Sequence, residues 1–520
     1  MSIQTPPTLL WLAGESLLRD QASAITALKY LPAKLFPPLF IQACHWRIPE
    51  PLMAMVQAWP FPVLPLGSLM RMPPVMVLQA VFEGLDFLLD QQVCPQRWKL
   101  RVLDLRNTGA NFWRMWCGDS TRNCSPMGPV AVQSSSPNME HSLAPLEVFL
   151  DLNFSEMDGV KFSMYIIQWA QQKEGLVHLC CKALRIYEVP FQRVRRVLDG
   201  VQLDCIQEVE VNCTWDLPTL GTFAHYLGQM SNLQSLALCH IKVLAEEEDE
   251  QEEDDEEEVQ EEEEEEEQKK KKQAVEEEYL WEREEEEQEW EEEEEWEREE
   301  QEEQGSFSQF LSQMLRLRHL KKLYLESPSF LRGRLDQMLR CLQTPLDKLS
   351  IWFCSQLTHS DLTHLFQCPN LRQLKSLHLY GANLTGFSPE PLRALLEAVA
   401  PTLQDLRLDN CGMVDSQVEA ILPVLSRCHQ LRDFTVSENH FSMATVEKLL
   451  RHTAGLHGLE LELYPVPLEC YRTQETVDQE RVALIRAELT GTLRELGQPK
   501  TICLVTKYYS SWEVYDVAFS

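Results

Sequence analysis

The sequence predicts an α/β leucine-rich-repeat solenoid, a ribonuclease-inhibitor-like horseshoe, with a helical N-terminal cap and a disordered acidic insertion. Two observations carry this prediction. A phrase of the form Leu-x-x-Leu-x-Leu recurs in the C-terminal half, and a segment with helical spacing follows each copy. Alternating apolar residues indicate a short strand with one buried face. One strand and one helix in every ~28 residues indicate leucine-rich repeats.

The copies of the phrase lie at nearly constant spacing. In the five regular copies the intervals between first leucines are 26, 28, 29 and 28 residues. These copies begin at Leu320, Leu346, Leu374, Leu403 and Leu431. Looser copies begin at Leu100, Leu176, Ile206, Leu233 and Leu456. The repeats are therefore expected to start near WKLRVLDLRNTG and to continue to LHGLELEL.

Composition and spacing set the remaining boundaries. Residues 1–97 have helical spacing without the phrase and are broken by prolines, which predicts a cap of short helices. The solenoid is expected to fill 98–480, with a Ser/Pro/Asn-rich mobile loop at 106–144. Residues 481–520 are expected to form a C-terminal cap.

An acidic low-complexity tract interrupts one repeat. Residues 245–304 hold 38 acidic and 6 basic side chains. Leu233 and Leu320 lie 87 residues apart, and removal of the 60-residue tract leaves 27, one ordinary repeat. The tract is therefore predicted to be an insertion that leaves after a strand and returns before the helix SFSQFLSQMLRLRHL. We expect disorder, because neighbouring glutamates repel and little apolar surface can be buried.

Composition also excludes several classes of protein. The net charge of −34 belongs mostly to the acidic tract, since the other residues hold 43 acidic and 41 basic side chains. The sequence contains no basic patch, so nucleic-acid binding is not predicted. No export signal is evident, and no apolar run reaches the ~18 residues of a membrane helix. The sixteen cysteines contain no Cys-x-x-Cys pair, so reduced thiols and a cytoplasmic or nuclear location are expected.

Known catalytic constellations are missing from the sequence. It lacks GxxxxGK[ST], GxSxG, HExxH and the paired Cys/His spacing of zinc sites. Its thirteen histidines are scattered. We therefore expect neither an enzyme nor a bound metal or cofactor, and a repeat surface that binds other proteins.

Several phrases outside the acidic tract are distinctive. They include LLWLAGESLLRDQASAITALKYLPAKLFPPLF, RWKLRVLDLRNTGANFW, CTWDLPTLGTFAHYLGQMSNL and LTGFSPEPLRALLEAVAPTLQDL. In these phrases the chain resembles the PRAME family (preferentially expressed antigen in melanoma). The resemblance implies leucine-rich repeats behind a helical cap. It also implies a substrate receptor of a cullin-2 ubiquitin ligase that binds elongins B and C and represses retinoic acid receptor signalling.

The chain departs from this family in two places. The acidic tract is not a general family feature. Many members end in a Cys-Pro-x-Cys tail, whereas this chain ends TICLVTKYYSSWEVYDVAFS. A metal-binding tail is therefore not implied.

On the resemblance, the first helix is expected to carry an elongin-binding box. Such a box has a small polar residue and Leu, then Cys or Ala and an aliphatic residue at four-residue spacing. Thr8, Leu9, Ala13 and Leu17 match it. On a helix this spacing places the apolar residues along one stripe that fits a partner's groove. The pattern is degenerate, so packing in the core remains the alternative.

A cullin box is expected a short distance further on. Its pattern, an aliphatic residue, Pro, two residues and an aliphatic, is met by Leu31, Pro32 and Leu35. Pro38 disturbs the position that follows.

A third motif has two interpretations. Leu392, Leu395 and Leu396 spell the Leu-x-x-Leu-Leu motif of nuclear-receptor coregulators. In phase with the repeat, the same leucines form the buried stripe of a repeat helix. They cannot face both the core and a receptor without local unfolding. Core packing is the preferred interpretation, and a nuclear receptor is the alternative partner.

Three functional hypotheses follow. The first is a non-enzymatic substrate-recognition adaptor of a cullin-2 RING ubiquitin ligase, with elongin B/C and cullin-2 on the cap and an unidentified target on the repeats. The resemblance adds roles in repressing transcription and in cell proliferation, differentiation and apoptosis. The second is a transcriptional corepressor or scaffold, without a ligase, whose acidic loop binds basic nuclear proteins such as histones. The third is an inhibitor that occludes another protein.

Overall fold

In the computed structural model the chain consists of two compact units. The first contains Met1–Arg185 and Gln192–Ile206, and the second contains Ile186–Phe191 and Gln207–Ser520. The structure describes residues 9–66, 75–90, 99–106, 145–155, 157–243, 298, 300–472, 476–497, 500–508 and 511–518. The predicted mobile loop, beyond its first residue, and most of the acidic tract lie outside these residues.

The first unit begins with helices and continues into a parallel sheet. Val63 lies opposite Val102 on the next strand, and Val102 lies opposite Glu147 on the third. Its helices are α1 (Leu9–Leu18), α2 (Gln21–Ala27), α3 (Phe36–Trp46), α4 (Pro49–Gln57), α5 (Val75–Asp90), α6 (Met157–Gln172) and α7 (Phe191–Leu198). Its strands are β1 (Val63–Pro65), β2 (Val102–Asp104), β3 (Leu146–Phe154) and β4 (Val177–Tyr187).

The first strand lies inside the segment that was predicted to be a cap of helices. Trp59 connects the cap helices to this strand, because its Nε1 donates to the Val63 carbonyl oxygen at 2.9 Å. The indole packs edge-on against Phe36 and Phe40, with ring centroids 6.3 and 5.3 Å away. The prolines on both sides of Val63 favour extended backbone. Residues 1–97 therefore contain a strand that the helical spacing concealed.

A second strand was also missed by the sequence. In β3 the side chains of alternate residues are buried, from Leu146 to Phe154. The predicted copies of the repeat phrase left this segment, between Leu100 and Leu176, without a strand. A nine-residue strand with five inward side chains departs from the short strand of the regular phrase.

The second unit repeats one strand and one helix, as predicted. Its strands pair in parallel and at equivalent positions, with Leu323 opposite Leu349 and Leu349 opposite Leu377. The helices are α8 (Leu217–Leu227), α9 (300–314), α10 (Leu335–Cys341), α11 (His359–Gln367), α12 (Pro389–Val399), α13 (Asp415–Leu425), α14 (Met443–Thr453) and α15 (Gln479–Glu495). The strands are β5 (Glu208–Asn212), β6 (Ser235–Cys239), β7 (Lys322–Glu326), β8 (Lys348–Trp352), β9 (Ser376–Tyr380), β10 (Asp405–Asp409), β11 (Asp433–Thr435), β12 (Leu461–Pro465), β13 (Thr501–Tyr508) and β14 (Ser511–Ala518).

The repeated phrase forms the core of this unit. Its apolar residues in the five regular copies are at most 2% exposed. Burial of one such side chain contributes roughly 1.5–3 kcal/mol. A single repeat cannot bury these apolar residues alone, so each repeat depends on its neighbours. The leucine-rich-repeat fold is confirmed.

The last looser copy has a different register from the one predicted. The copy was placed at Leu456, but Phe434 lies opposite Glu462 on β12, which places the first residue of the phrase at Leu459. The amide of Glu460 donates to the Arg432 carbonyl oxygen at 2.7 Å and fixes this register. The core positions of the copy are consequently held by Glu462 and Tyr464, both buried, in place of leucines.

The boundary of the acidic insertion also differs from the prediction at 304. Helix α9 includes residues 300–304, and the Glu303 side chain in this stretch is buried. The end of the tract is thus part of the helix of the interrupted repeat. Beyond it, the predicted cap at 481–520 corresponds to α15 followed by the antiparallel pair β13 and β14.

A buried ion pair replaces the leucine core in the last repeat. The Glu462 side chain is 3% exposed, and its Oε1 lies 2.6 Å from Lys500 Nζ. The contact is electrostatic, since Nζ has no partner in hydrogen-bonding geometry among the described residues. The other carboxylate oxygen accepts from Tyr464 OH at 2.7 Å and from Thr453 Oγ1 at 3.2 Å. Burial, followed by the charge of Glu462, raises the pKa of Tyr464 well above its usual value.

Replacement of Lys500 by alanine is expected to lower the free energy of unfolding by about 3–5 kcal/mol, because it leaves a buried carboxylate without its cation. Urea denaturation of the full chain measures the loss. The control is Lys375→Ala, which removes an exposed ion pair with Asp347 and should cost about 1 kcal/mol or less. Equal losses in the two variants would contradict this account of the last repeat.

Candidate docking site

Helix α1 is attached to α3 along one face only. A Cβ atom on Gly14 would lie 2.1 Å from Gln42 Oε1, so a larger residue would have to displace the Gln42 side chain. The buried Gln42 side chain donates from Nε2 to the Trp11 carbonyl oxygen at 2.7 Å. Leu18 is buried on the same side of the helix. Since Trp11, Gly14 and Leu18 share one face of the 3.6-residue period, the opposite face points to solvent.

The opposite face carries the residues of the predicted elongin box. Leu9 is 86% exposed, Ala13 is exposed, and Leu17 is half-buried at the edge of the stripe. Thr8 lies outside the described residues. Leu12 is also exposed and widens the apolar surface. Contiguous exposed apolar side chains mark interaction surfaces, whereas isolated ones do not. The geometry therefore leaves the stripe available to a partner.

The cullin-box residues lie between α2 and α3. Pro32 is exposed, and Leu31 and Leu35 are half-buried. Leu35 ends a short 3-10 helix, and Pro38 lies in the first turn of α3. A proline is tolerated in the first turn because the amide there has no helical partner. Pro38 therefore does not disturb the helix, and part of the box is accessible.

The Leu-x-x-Leu-Leu motif lies in α12. Leu392, Leu395 and Leu396 are all buried there. These leucines pack in the core of their repeat, and none is presented to a receptor.

One face of the second unit's sheet carries a polar cluster that the repeat phrase did not predict. Arg407 Nε lies 3.0 Å from Asp405 Oδ1, and His378 Nε2 hydrogen-bonds to the other oxygen of Asp405. Burial would raise the pKa of Asp405, but the hydrogen bonds and charges of His378 and Arg407 lower it overall. These residues occupy the variable positions of the repeat phrase, which is the signal that could have located them. The cluster can bind polar groups of another molecule.

The described part of the chain offers no site for a metal: no three His, Cys, Asp or Glu side chains are grouped to hold an ion there. Within the same residues, no helix has both the length and the apolar character needed to cross a bilayer. Each described cysteine is a free thiol.

Two family models together match most of the chain. The PRAME N-terminal domain matches residues 6–113, and the PRAME C-terminal domain matches residues 146–260 and 294–516. The chain belongs to the PRAME family. PRAME family member 12 of Homo sapiens is 46% identical over 506 residues, which cover 97% of this chain and 94% of the relative. PRAME family member 20 of Homo sapiens is 44% identical over 512 residues, 98% of this chain and 96% of the relative.

PRAME membership bears on both the acidic tract and the docking residues. The C-terminal family model stops at residue 260 and resumes at 294, inside the acidic tract. Residues 261–293 are therefore additional to that model. Helix α1 and the cullin-box segment lie within the N-terminal model. Neither the two models nor these relatives carry the name of an enzyme.

Substitutions on α1 are expected to separate its two faces. Leu9→Asp should change the free energy of unfolding by less than about 0.5 kcal/mol, because the side chain is exposed. Leu18→Ala should cost about 2–5 kcal/mol, since it leaves a cavity against the cap. Chemical denaturation monitored by far-ultraviolet circular dichroism measures both. A large loss of stability for Leu9→Asp would show that the stripe is packed, not exposed.

Proposed function

We propose that this PRAME-family protein is a non-enzymatic substrate-recognition adaptor of a cullin-2 RING ubiquitin ligase. The observation that supports this role is the exposed apolar stripe of α1, with Leu9 and Ala13 on the solvent side of the helix. An amphipathic helix of this kind docks by placing its apolar stripe in a groove of the partner, here elongin B/C. The ubiquitin-transfer chemistry would belong to other subunits.

The energetics indicate that α1 does not act alone. Burial of Leu9 and Leu12 would contribute roughly 1.5–3 kcal/mol each, against about 8 kcal/mol for a micromolar complex. Association also costs translational and side-chain entropy. The exposed Pro32 with Leu31 and Leu35 supplies further surface, and cullin-2 is the partner proposed for it. Docking therefore needs both segments of the cap.

The repeat unit would bind the protein to be ubiquitinated. Its sheet face carries the opposite charges of Asp405 and Arg407, which suit recognition of a polar protein surface. Removal of such a target in the cytoplasm or nucleus would account for a role in repressing transcription and in proliferation, differentiation and apoptosis.

Co-purification tests the adaptor. The full chain should retain elongin B/C and cullin-2, and the double variant Leu9→Ala/Ala13→Glu should lose at least nine tenths of both. The matched control is Leu484→Glu, which places an acid at an exposed apolar position of α15. If the unaltered chain retains neither elongin nor cullin, the adaptor role fails.

A second candidate function is a corepressor or scaffold that binds basic nuclear proteins such as histones through the acidic tract. It is favoured by residues 261–293, which the family model lacks and which are mostly acidic. The structure indicates that a deletion should remove 245–297 and spare α9, where Glu303 is buried. Under this hypothesis the deletion abolishes histone binding in pull-downs and leaves the melting temperature unchanged. Retained histone binding would count against it.

A further inference from the structure

An unusual backbone conformation recurs where strands of the second unit end. The residue that follows the strand has a positive φ in five successive repeats, 59° at His240, 46° at Ser327, 51° at Phe353, 72° at Gly381 and 51° at Asn410. Glycine and asparagine tolerate this left-handed region, but a bulky side chain is an outlier there. Strained positions of this kind are concentrated at functional sites. Among these positions Phe353 alone carries a large apolar side chain, so its presence needs an explanation.

Phe353 belongs to an exposed group of three aromatic rings. Trp352 and Phe353 are 42% and 48% exposed. The Trp352 ring is stacked on Tyr380, with centroids 5.6 Å apart, and Phe353 meets Tyr380 edge-to-face at 5.2 Å. The three rings thus form one surface at the ends of β8 and β9. A Trp-Phe pair in solvent has no role in the repeat core, which the leucines already fill.

A cavity of about 320 Å³ lies beside these rings. Phe353, Gly381 and Asn410 line it, so the left-handed residues of three consecutive repeats share one concavity. Asn383 and Ser355 also line it. A group that entered this cavity would meet the aromatic residue Phe353 together with polar residues.

Carboxylates lie on both sides of the aromatic surface. Glu326 lies opposite Trp352 on the neighbouring strand β7. On the other side, Tyr380 OH donates to Glu438 Oε1 at 3.3 Å. Burial, then the charges of Glu438 and Asp409, raise the pKa of Tyr380. The loops that lead from these strands, 352–358, 380–388 and 409–414, contain no Lys or Arg.

We propose that Trp352, Phe353 and Tyr380 form a recognition site for an arginine or lysine side chain of a protein partner. Aromatic faces attract cations through their quadrupole, and nearby carboxylates add to this attraction. The same carboxylates disfavour a phosphate backbone, which excludes single-stranded nucleic acid although its bases stack on such rings. The role of this site in selecting a ubiquitination target rests on the proposed adaptor function. Its binding of a basic peptide does not depend on the ligase.

Peptide binding to the full chain tests this site. The probe is the fluorescein-labelled peptide Gly-Ser-Leu-Arg-Leu-Arg-Leu-Ser-Gly, and its neutral control has citrulline in place of each arginine. Fluorescence anisotropy should give at least tenfold tighter binding of the arginine peptide. Trp352→Ala should weaken that binding at least fivefold, whereas Leu468→Ala, at an exposed apolar residue elsewhere in the unit, should leave it unchanged.

The Trp352 comparison also separates the site from the acidic tract, which attracts any basic peptide but is identical in both proteins. Equal affinities of the Trp352→Ala variant and the unaltered chain would overturn the proposal. Binding of a twelve-residue oligouridine that is lost in Trp352→Ala would overturn it in favour of nucleic acid. A chain that binds the peptide but not elongin refutes the adaptor alone, and the reverse result refutes only this site.

A second variant distinguishes recognition from a structural role. Phe353→Asn places at this position the residue that the neighbouring repeat has at Asn410 with the same φ. The melting temperature should stay the same or rise, because asparagine tolerates the left-handed region. Binding of the arginine peptide should nevertheless fall at least threefold. A variant with a lower melting temperature and unchanged affinity would show that Phe353 serves stability instead.

Discussion

The leucine stripe of each repeat can be buried only against the next repeat, and most of the second unit follows from this constraint. The inward residues of β7, β8, β9 and β10 must lie at the same height to fill one core, so the strands pair in parallel without slipping. An insertion can then be accommodated only in a loop whose two ends keep their positions in the repeat. The acidic tract satisfies this condition, since β6 precedes it and α9 follows it. A tract with 38 acidic side chains is thereby tolerated in a fold whose other charges almost cancel.

The same constraint separates structural motifs from those available for binding. Leu392, Leu395 and Leu396 are in phase with the repeat, and their burial follows from that phase. Helix α1 is outside the repeat and is attached through Gly14 and Gln42, so nothing in the core requires Leu9 or Ala13. Phe353 lies in a loop that the core does not constrain. A bulky residue with a positive φ costs about 1–3 kcal/mol, which Gly381 and Asn410 avoid at the equivalent positions.

The repeats could be predicted from the sequence because their pattern is periodic. Features that occur only once in the chain could not be predicted in this way. Leu323 and Leu349 were predictable core residues, since each belongs to a phrase that recurs. Strand β1 has only three residues, the last of them a proline, and its pairing with β2 depends on contacts such as Trp59 with Val63 that no local pattern reveals. The segment LHGLELEL fits the phrase from Leu456, yet the backbone bond to Arg432 selects Leu459. For α1, the box pattern is the same whether the helix is buried or exposed, and only the packing of Gly14 decides.

The end of the array shows why the repeat must change there. A terminal repeat would leave its leucine stripe open to water, so repeat proteins need atypical ends. In this chain Glu462 and Tyr464 take the core positions, and Lys500, which precedes β13, neutralises the carboxylate. A lone buried carboxylate would be strongly unfavourable, so the last repeat is stable only when the segment with Lys500 has been placed beside it. The antiparallel pair of β13 and β14 then ends the parallel sheet with a hairpin instead of another repeat. Polar groups thus make the packing of the last repeat specific for its cap, whereas leucines alone could pack against any apolar neighbour.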